Sequence, residues 1–320
     1  MKDKSFTHKV YACVILGTNL LCAESVRRNG ENMQIASLFE QKKTVLSFEV
    51  FPPKKTSSIE TIYSTLDELE CLHPDFISVT YGAGGNAGDT ATCEIAAAIK
   101  HKYKIEPLAH LTCVNYTKTE IEQILDRLEQ SSIENVLALR GDINPEVTPK
   151  DQFHYASELV AFIKNRGGFH ISGACYPEGH IDSNSLVDDM LNLKRKVDAG
   201  AEHLVSQLFF DNSFFYSFLE RARIAGITVP IEAGIMPVVN KAQIERMVTL
   251  CGASLPSKFA KMLQRFENSP EALRDAGIAY AVDQIVDLIS QGVEGIHLYT
   301  MNNAYIARKI SNSIAGLMLL

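Results

Sequence analysis

The residues LSFEVFPPKK (46–55) set one carboxylate, Glu49, inside an apolar run that stops at Pro52 and Pro53. Period-two alternation makes the run a strand, with Leu46, Phe48 and Val50 on one face and Ser47, Glu49 and Phe51 on the other. A proline pair cannot continue a central ladder, so Glu49 sits near the tip of the strand. Two chemistries are open to such an acid. On an edge strand it is a surface-facing charge. At the tip of an apolar strand in a shielded mouth, desolvation would instead tend to raise its pKa.

Three further stretches carry groups suited to a ligand. LALRGD (137–142) ends a buried strand with Arg140, Gly141 and Asp142. The pattern is either a Gly-Asp turn with a salt bridge, or an Arg for phosphate contact or ring stacking beside an Asp aimed at the same ligand. In DMLNLKRKVDAG (189–200), Asp189, Asn192 and Lys196 recur at i, i+3 and i+7 on one helical face. Such a face is either solvated charge or a surface for ribose and phosphate. SVTYGAGGNAGDT (78–90) satisfies G-x-G-x-x-A directly after a strand. A dinucleotide fingerprint would open the first strand of its fold and meet an acid at the end of the next, and LAHLTCV (108–114) ends without one. A loop whose glycines let backbone approach a ligand is the preferred reading. His110, His154 and His180 have no metal-type spacing and read as hydrogen-bonding groups. With no G-x-S-x-G, H-E-x-x-H or G-x-x-x-x-G-K-[ST], hydrolase and kinase readings have no support.

These side chains need elements to hold them. Short β-branched or apolar runs recur at 45–51, 76–80, 108–113, 135–139, 171–174, 203–207, 231–234 and 295–298. Between most of them lie amphipathic helical stretches. TKTEIEQILDRLEQSSI (117–133) opens on a capping box from Thr117 to Glu120, and SLVDDMLNLKRKVDAGA (185–201) closes near Gly200. Strand starts are spaced by roughly 30 residues, except that 241–291 hold extra helices before the last strand. Strand–helix alternation at this beat means parallel β/α units, and eight of them predict a (β/α)8 TIM barrel, with a doubly wound open sheet as the alternative. Polar residues at the C-terminal ends of six strands favour the barrel: Glu49, Thr80, Arg140 to Asp142, Tyr176 to Glu178, Gln207 and Tyr299. A barrel gathers all eight ends on one face, whereas an open sheet focuses on one switch point.

The expected organisation is a single barrel domain over 33–320 behind an N-terminal extension, 1–32, that is disordered or precedes the true start at Met33. An apolar run within the extension, 9–25, is only faintly like a signal peptide. An apolar content of 46% and a charged content of 22% are those of an ordinary globular protein. The net charge of −7 gives no electrostatic footprint for nucleic acid, and no apolar run reaches membrane-spanning length. Seven scattered cysteines without a C-x-x-C pair fit reduced thiols in the cytoplasm.

Taken together, SFEVFPPK, DFISVTYGAGG, AHLTCVNYT, VLALRGD, YPEGH, LNLKRKVDAGA, QLFFD, GIMPV and HLYTMN resemble, in order, the methylenetetrahydrofolate reductase family. The likeness is to the short bacterial form, the catalytic barrel without the regulatory domain of the eukaryotic enzymes. It implies a flavoprotein of one-carbon metabolism and methionine biosynthesis that holds FAD at the C-terminal ends of the strands. It also implies reduction of 5,10-methylenetetrahydrofolate to 5-methyltetrahydrofolate by NADH or NADPH in a ping-pong cycle.

Carried over position by position, the resemblance implies FAD contacts at Thr80, His110, Arg140, Gly141, Asp142, Tyr155, Ala156, Ala174, His180, Asp189, Asn192, Arg195 and Lys196. It makes Glu49 the general acid that opens the folate ring, kept protonated by burial beside Phe48 and Phe51, and Asp142 a carboxylate near the flavin that would stabilise the resulting cation. Gln207 and Gln243 are implied folate contacts, and Tyr299 a further position in that pocket. In two places the chain departs from the pattern: Asn303 stands where an Arg is common, and Met247 where a Phe is common. A homo-oligomer is expected. Rival readings are the same reduction fed by ferredoxin through an iron–sulfur partner subunit, a non-redox folate- or nucleotide-binding barrel, and an NAD-dependent dehydrogenase using the Gly82 loop.

Overall fold

A computed structural model describes residues 33–53, 58–81, 86–142 and 150–319. The expected extension 1–32 and the loop 82–85 lie outside the described residues. Eight parallel strands close on themselves: β1 Val45–Val50, β2 Phe76–Val79, β3 Glu106–Thr112, β4 Asn135–Leu139, β5 His170–Cys175, β6 His203–Ser206, β7 Ile231–Ile235 and β8 Gly295–Tyr299. Each pairs with the next, and β8 returns to β1 with Ser47 opposite His297 and Glu49 opposite Tyr299. The sheet is the TIM barrel expected from the strand beat, and each expected strand is found within two residues at either end.

Eleven helices are described: α1 Leu38–Gln41, α2 Glu60–Glu70, α3 Asn86–His101, α4 Lys118–Gln130, α5 Ala156–Arg166, α6 Leu186–Asp198, α7 Asn212–Ile224, α8 Lys241–Cys251, α9 Ser257–Phe266, α10 Pro270–Ser290 and α11 Ala304–Ile314. Local chemistry sets several of their ends. Thr117 Oγ1 accepts from Glu120 N–H while the Glu120 carboxylate accepts from Thr117 N–H, so the predicted capping box starts α4. A cap of this kind is worth about 1 kcal/mol.

Period-two alternation sorts each strand into a lumen face and a helix face. On β1, Leu46, Phe48 and Val50 join the large outer core with Ile62, Leu66 and Leu69 of α2. Val45 points inward and forms the floor of the lumen with Phe76, Leu108, Leu137 and Val205. Ile35 and Leu38 from the segment before β1 close that floor, both buried. Asn135 fixes the plug: its Oδ1 accepts from Ile35 N–H (3.0 Å) and its Nδ2 donates to Met33 O (3.1 Å).

The extra helices α8 to α10 build a second apolar cluster beside the mouth, in which Leu208, Phe210, Met236 and Val238 pack on Ile244, Phe259 and Leu263. Among the described residues no helix is long and apolar enough to cross a membrane, no two cysteines are joined, and no His, Cys, Asp and Glu cluster is arranged for a metal.

Candidate active site

Two residues after β8 fasten the rim of β1 and so place Glu49. Thr300 Oγ1 donates to Glu49 O (2.6 Å). Asn302 clamps Phe51, two residues further on, its Oδ1 accepting from Phe51 N–H (3.0 Å) and its Nδ2 donating to Phe51 O (2.8 Å). The Glu49 side chain enters the lumen mouth, where Oε2 lies 3.6 Å from His110 Nε2 and 3.7 Å from His297 Nε2. Neither contact is a hydrogen bond, and His110 Nε2 has no hydrogen-bond partner among the described residues. Burial outweighs the pull of Glu49 and lowers His110 to about 4, so the ring is neutral at pH 7.

This geometry corrects one expectation. Phe48 faces the helices, on the opposite side of the strand from Glu49, and cannot shield it. The acid is flanked by imidazoles instead.

On the neighbouring strands the predicted cofactor positions converge on the same face of the barrel. Thr80 follows β2, with its N–H donating to Val50 O (2.9 Å). Arg140 follows β4 and pairs with Asp182 (2.8 Å). Gly141 adopts φ +86°, and a Cβ there would stand 2.9 Å from Thr112 Cβ, so only glycine lets this turn pass close to β3. Asp142 is exposed at the mouth. His180 Nδ1 accepts from Asp182 N–H (3.0 Å), which leaves its Nε2–H as a donor, and burial with the nearby Arg140 charge lowers its pKa. Tyr155 immediately precedes α5 and Ala156 opens it, with Tyr155 largely exposed.

The α6 face holds the remaining positions. Asp189 accepts from Ser183 Oγ (3.0 Å), and Arg195 Nη1 donates to Asn192 Oδ1 (2.8 Å). Lys196 runs inward over Gly173 to donate to Ala174 O (2.6 Å), and burial lowers its pKa. A Cβ on Gly173 would lie 2.7 Å from Lys196 Cδ, so the glycine is the gap through which the lysine reaches the strand end. Arg140, Arg195 and Lys196 suit a diphosphate, while Asp189 suits ribose hydroxyls. The donor set therefore fits a dinucleotide such as FAD.

The folate positions are placed unevenly. Gln207 follows β6, and its Oε1 accepts from Leu208 N–H (2.9 Å), so a ligand meets its NH2 end. The Tyr299 hydroxyl donates to Ser206 O (2.7 Å), and burial raises its pKa well above the ordinary phenol range. Gln243 lies on α8, but its side chain is outside the described residues. Met247 packs against the second apolar cluster. Asn303 caps α11, its Oδ1 accepting from Ile306 N–H (3.2 Å), a role that an Arg could not fill. His154 is exposed near Asp151, away from the groups described above.

Sequence reasoning missed a polar layer just below the mouth. Ser47, Ser78, Ser172, His203, Glu232 and His297 are all buried inside the barrel. Their signal lay in the alternation of GIHLY and IEAGI, which puts His297 and Glu232 on the same faces as Gly295 and Gly234. The glycines make the room, since a Cβ on Gly295 would meet Glu232 Cγ at 2.6 Å.

A family profile described as methylenetetrahydrofolate reductase matches residues 34–315. The 5,10-methylenetetrahydrofolate reductase of Pectobacterium carotovorum is 36% identical over 288 residues, covering 90% of this chain and 95% of that one. The Escherichia coli enzyme of the same name is 35% identical, covering 90% and 96%. An Arabidopsis thaliana relative, methylenetetrahydrofolate reductase (NADH) 1, is 36% identical, covering 84% of this chain and 48% of its own. Among solved structures, an uncharacterized protein from Clostridium thermocellum that binds two copies of 5-methyl-5,6,7,8-tetrahydrofolic acid shares the fold. Its TM-score is 0.62 at 15% identity, covering 90% of this chain and all of that one. A barrel whose rim carries this constellation, matched along nearly its whole length by these relatives, belongs to the methylenetetrahydrofolate reductase family of oxidoreductases, in its short bacterial form.

Proposed function

We propose that the protein reduces 5,10-methylenetetrahydrofolate to 5-methyltetrahydrofolate with electrons from NADH or NADPH, in a ping-pong cycle on bound FAD, with Glu49 as general acid. The single observation that carries this reading is Glu49 at the C-terminal end of β1, in the barrel mouth between His110 and His297. FAD, when bound, supplies the hydride-accepting and hydride-donating ring. Arg140, Arg195 and Lys196 would hold its diphosphate, Asp189 and Asn192 its ribose end, and Thr80, His110, Gly141, Asp142, Tyr155, Ala156, Ala174 and His180 the rest.

The chain's own chemistry is proton delivery. The methylene bridge of the folate accepts hydride only after its five-membered ring opens to an iminium ion, and opening requires a proton on the departing amine. Glu49 gives that proton from its Oε2. Asp142, an acid exposed at the mouth, stabilises the cation that forms. Gln207 and Gln243 position the folate, with Tyr299 beside them. The same reading places the activity in the cytoplasm, in a homo-oligomer, on the route that supplies methyl groups to methionine.

The test is an anaerobic spectrum of the purified protein. Flavin bands should bleach with NADH and return with methylenetetrahydrofolate. The Glu49→Gln variant should keep its flavin and its bleaching by NADH while reoxidation by folate falls by about 100-fold or more. Reoxidation of that variant at the normal rate would remove Glu49 from the role.

A further inference from the structure

The most deeply buried acid of the lumen is not Glu49 but Glu232, at 0% exposure. Glu232 Oε1 is 2.9 Å from Ser47 Oγ, and Ser47 Oγ is 2.6 Å from His297 Nδ1. The far nitrogen of the same ring, Nε2, is 3.7 Å from Glu49 Oε2 and 3.5 Å from Ser78 Oγ. A hydroxyl, an imidazole and two carboxyls thus stand in one file from the middle of the barrel to its mouth.

We propose that Ser47 and His297 form a proton relay that joins Glu232 to Glu49, so that Glu232 stores the proton that Glu49 spends on the folate. The inference rests on the general-acid reading of Glu49. The file has two complete hydrogen arrangements. In the charged arrangement the Glu232 carboxyl donates to Ser47, the Ser47 hydroxyl donates to His297 Nδ1, and His297 Nε2–H faces an ionised Glu49. In the discharged arrangement Ser47 donates to an ionised Glu232, His297 Nδ1–H donates to Ser47, and Glu49 carries the proton towards His297 Nε2.

Passing from the first to the second breaks the O–H bond of Glu232, the O–H bond of Ser47 and the Nε2–H bond of His297. It forms a new O–H on Ser47, the Nδ1–H of His297 and the O–H of Glu49. One proton has crossed, His297 is neutral at both ends, and no other reactant is consumed. The last hop spans 3.7 Å, which a bridging water or a small swing of the Glu49 carboxylate closes. Solvent refills the store through Glu49, whose side chain is 17% exposed.

The surroundings suit a store. Burial pushes Glu232 up to about 7, so a proton is held and released near neutral pH. His203 stands 3.2 Å from Glu232 Oε2, but burial with the neighbouring His170 and His297 lowers its own pKa well below the ordinary value, so it does not take the proton. Its Nδ1 is engaged with Ser172 Oγ at 2.9 Å. Asp75, farther off, favours the protonated form of Glu232. At the other end, among the described residues, Glu49 faces His110, neutral at pH 7, along with His297 and Tyr299.

The experiment uses the flavin-loaded enzyme and two variants that sever the file at different atoms, Glu232→Gln and Ser47→Ala. Both should keep flavin content and the NADH half-reaction within about twofold of the parent. In both, the folate half-reaction should slow by about tenfold and lose the limb expected of the parent near pH 7. Nitrogen-15 NMR of His297 gives a readout independent of turnover: as the file gives up its stored proton to solvent between about pH 6 and pH 8, leaving both carboxylates ionised with Ser47 donating to Glu232, the parent ring should change from the Nε2–H to the Nδ1–H tautomer, and Ser47→Ala should not.

A parent ring whose tautomer is fixed across that range overturns the relay, as does a parental pH profile in both variants. Equal slowing of the two half-reactions marks a structural effect and overturns it too. Failure of the underlying reading is seen separately, as normal folate reoxidation in Glu49→Gln.

Discussion

Glu49 Oε2 and His110 Nε2 approach to 3.6 Å across the barrel mouth without a hydrogen bond, and the histidine nitrogen has no hydrogen-bond partner among the described residues. Fold closure alone creates this pair, because β1 and β3 are not adjacent in the sheet. A buried imidazole held neutral beside a carboxyl has consequences for stability as well as for proton transfer.

The first concerns pH. His110 is lowered to about 4 in the folded protein and returns to about 6.5 when unfolded, so between those values the unfolded chain binds the extra proton. Stability therefore falls as pH drops from about 6.5 to 4, by up to roughly 3 kcal/mol for this group. Urea unfolding of the parent and of His110→Asn at several pH values measures it. The expected result is a smaller acid-induced loss in the variant, and equal losses would contradict it.

A second prediction separates cofactor binding from folding. Lys196 reaches Ala174 O only because Gly173 has no side chain. Lys196→Met should leave the barrel folded and weaken FAD binding by about tenfold or more, from loss of one buried charged contact. Gly173→Ala should push the lysine stem aside and weaken FAD as well. Titration of apoprotein with FAD, followed by flavin fluorescence, reads both. Parental affinity in Lys196→Met would exclude the lysine from the cofactor site.

The third concerns the clamp at the rim. Asn302 makes two hydrogen bonds to Phe51 and has φ +54°. Asn302→Ala should lose both bonds and add backbone strain, a destabilisation of about 2–3 kcal/mol. Asn302→Gly removes the bonds without the strain and should be the milder of the two. Thermal unfolding ranks them. Both should also slow the folate half-reaction more than the NADH half-reaction, because the clamp sets the position of Glu49. Equal stability of the two variants would show that the backbone is not strained.

Much of this is legible in the chain. Alternation and strand beat place eight strands within two residues of their observed ends, and the i, i+3, i+7 face of α6 carries Asp189, Asn192 and the inward-reaching Lys196. The polar strand ends share one face, since parallel strands in a closed sheet must all point their C-terminal ends the same way. What stays hidden is the environment of each polar group. Proximity in sequence pairs Glu49 with Phe48, yet a period of two sends adjacent residues to opposite faces, and Phe48 faces the helices.

The sequence by itself determined the parallel β/α architecture, the position of Glu49 at a strand tip, and the residue types around the mouth, because these depend on periodicity and local turn chemistry. Only the tertiary structure decided which groups meet. Barrel closure sets Ser47 against His297 and brings in Glu232 from 185 residues away, although nothing local in the sequence links them. Contacts across a lumen depend on register, shear and the gaps left by Gly234 and Gly295, and those are properties of the closed sheet rather than of any one strand.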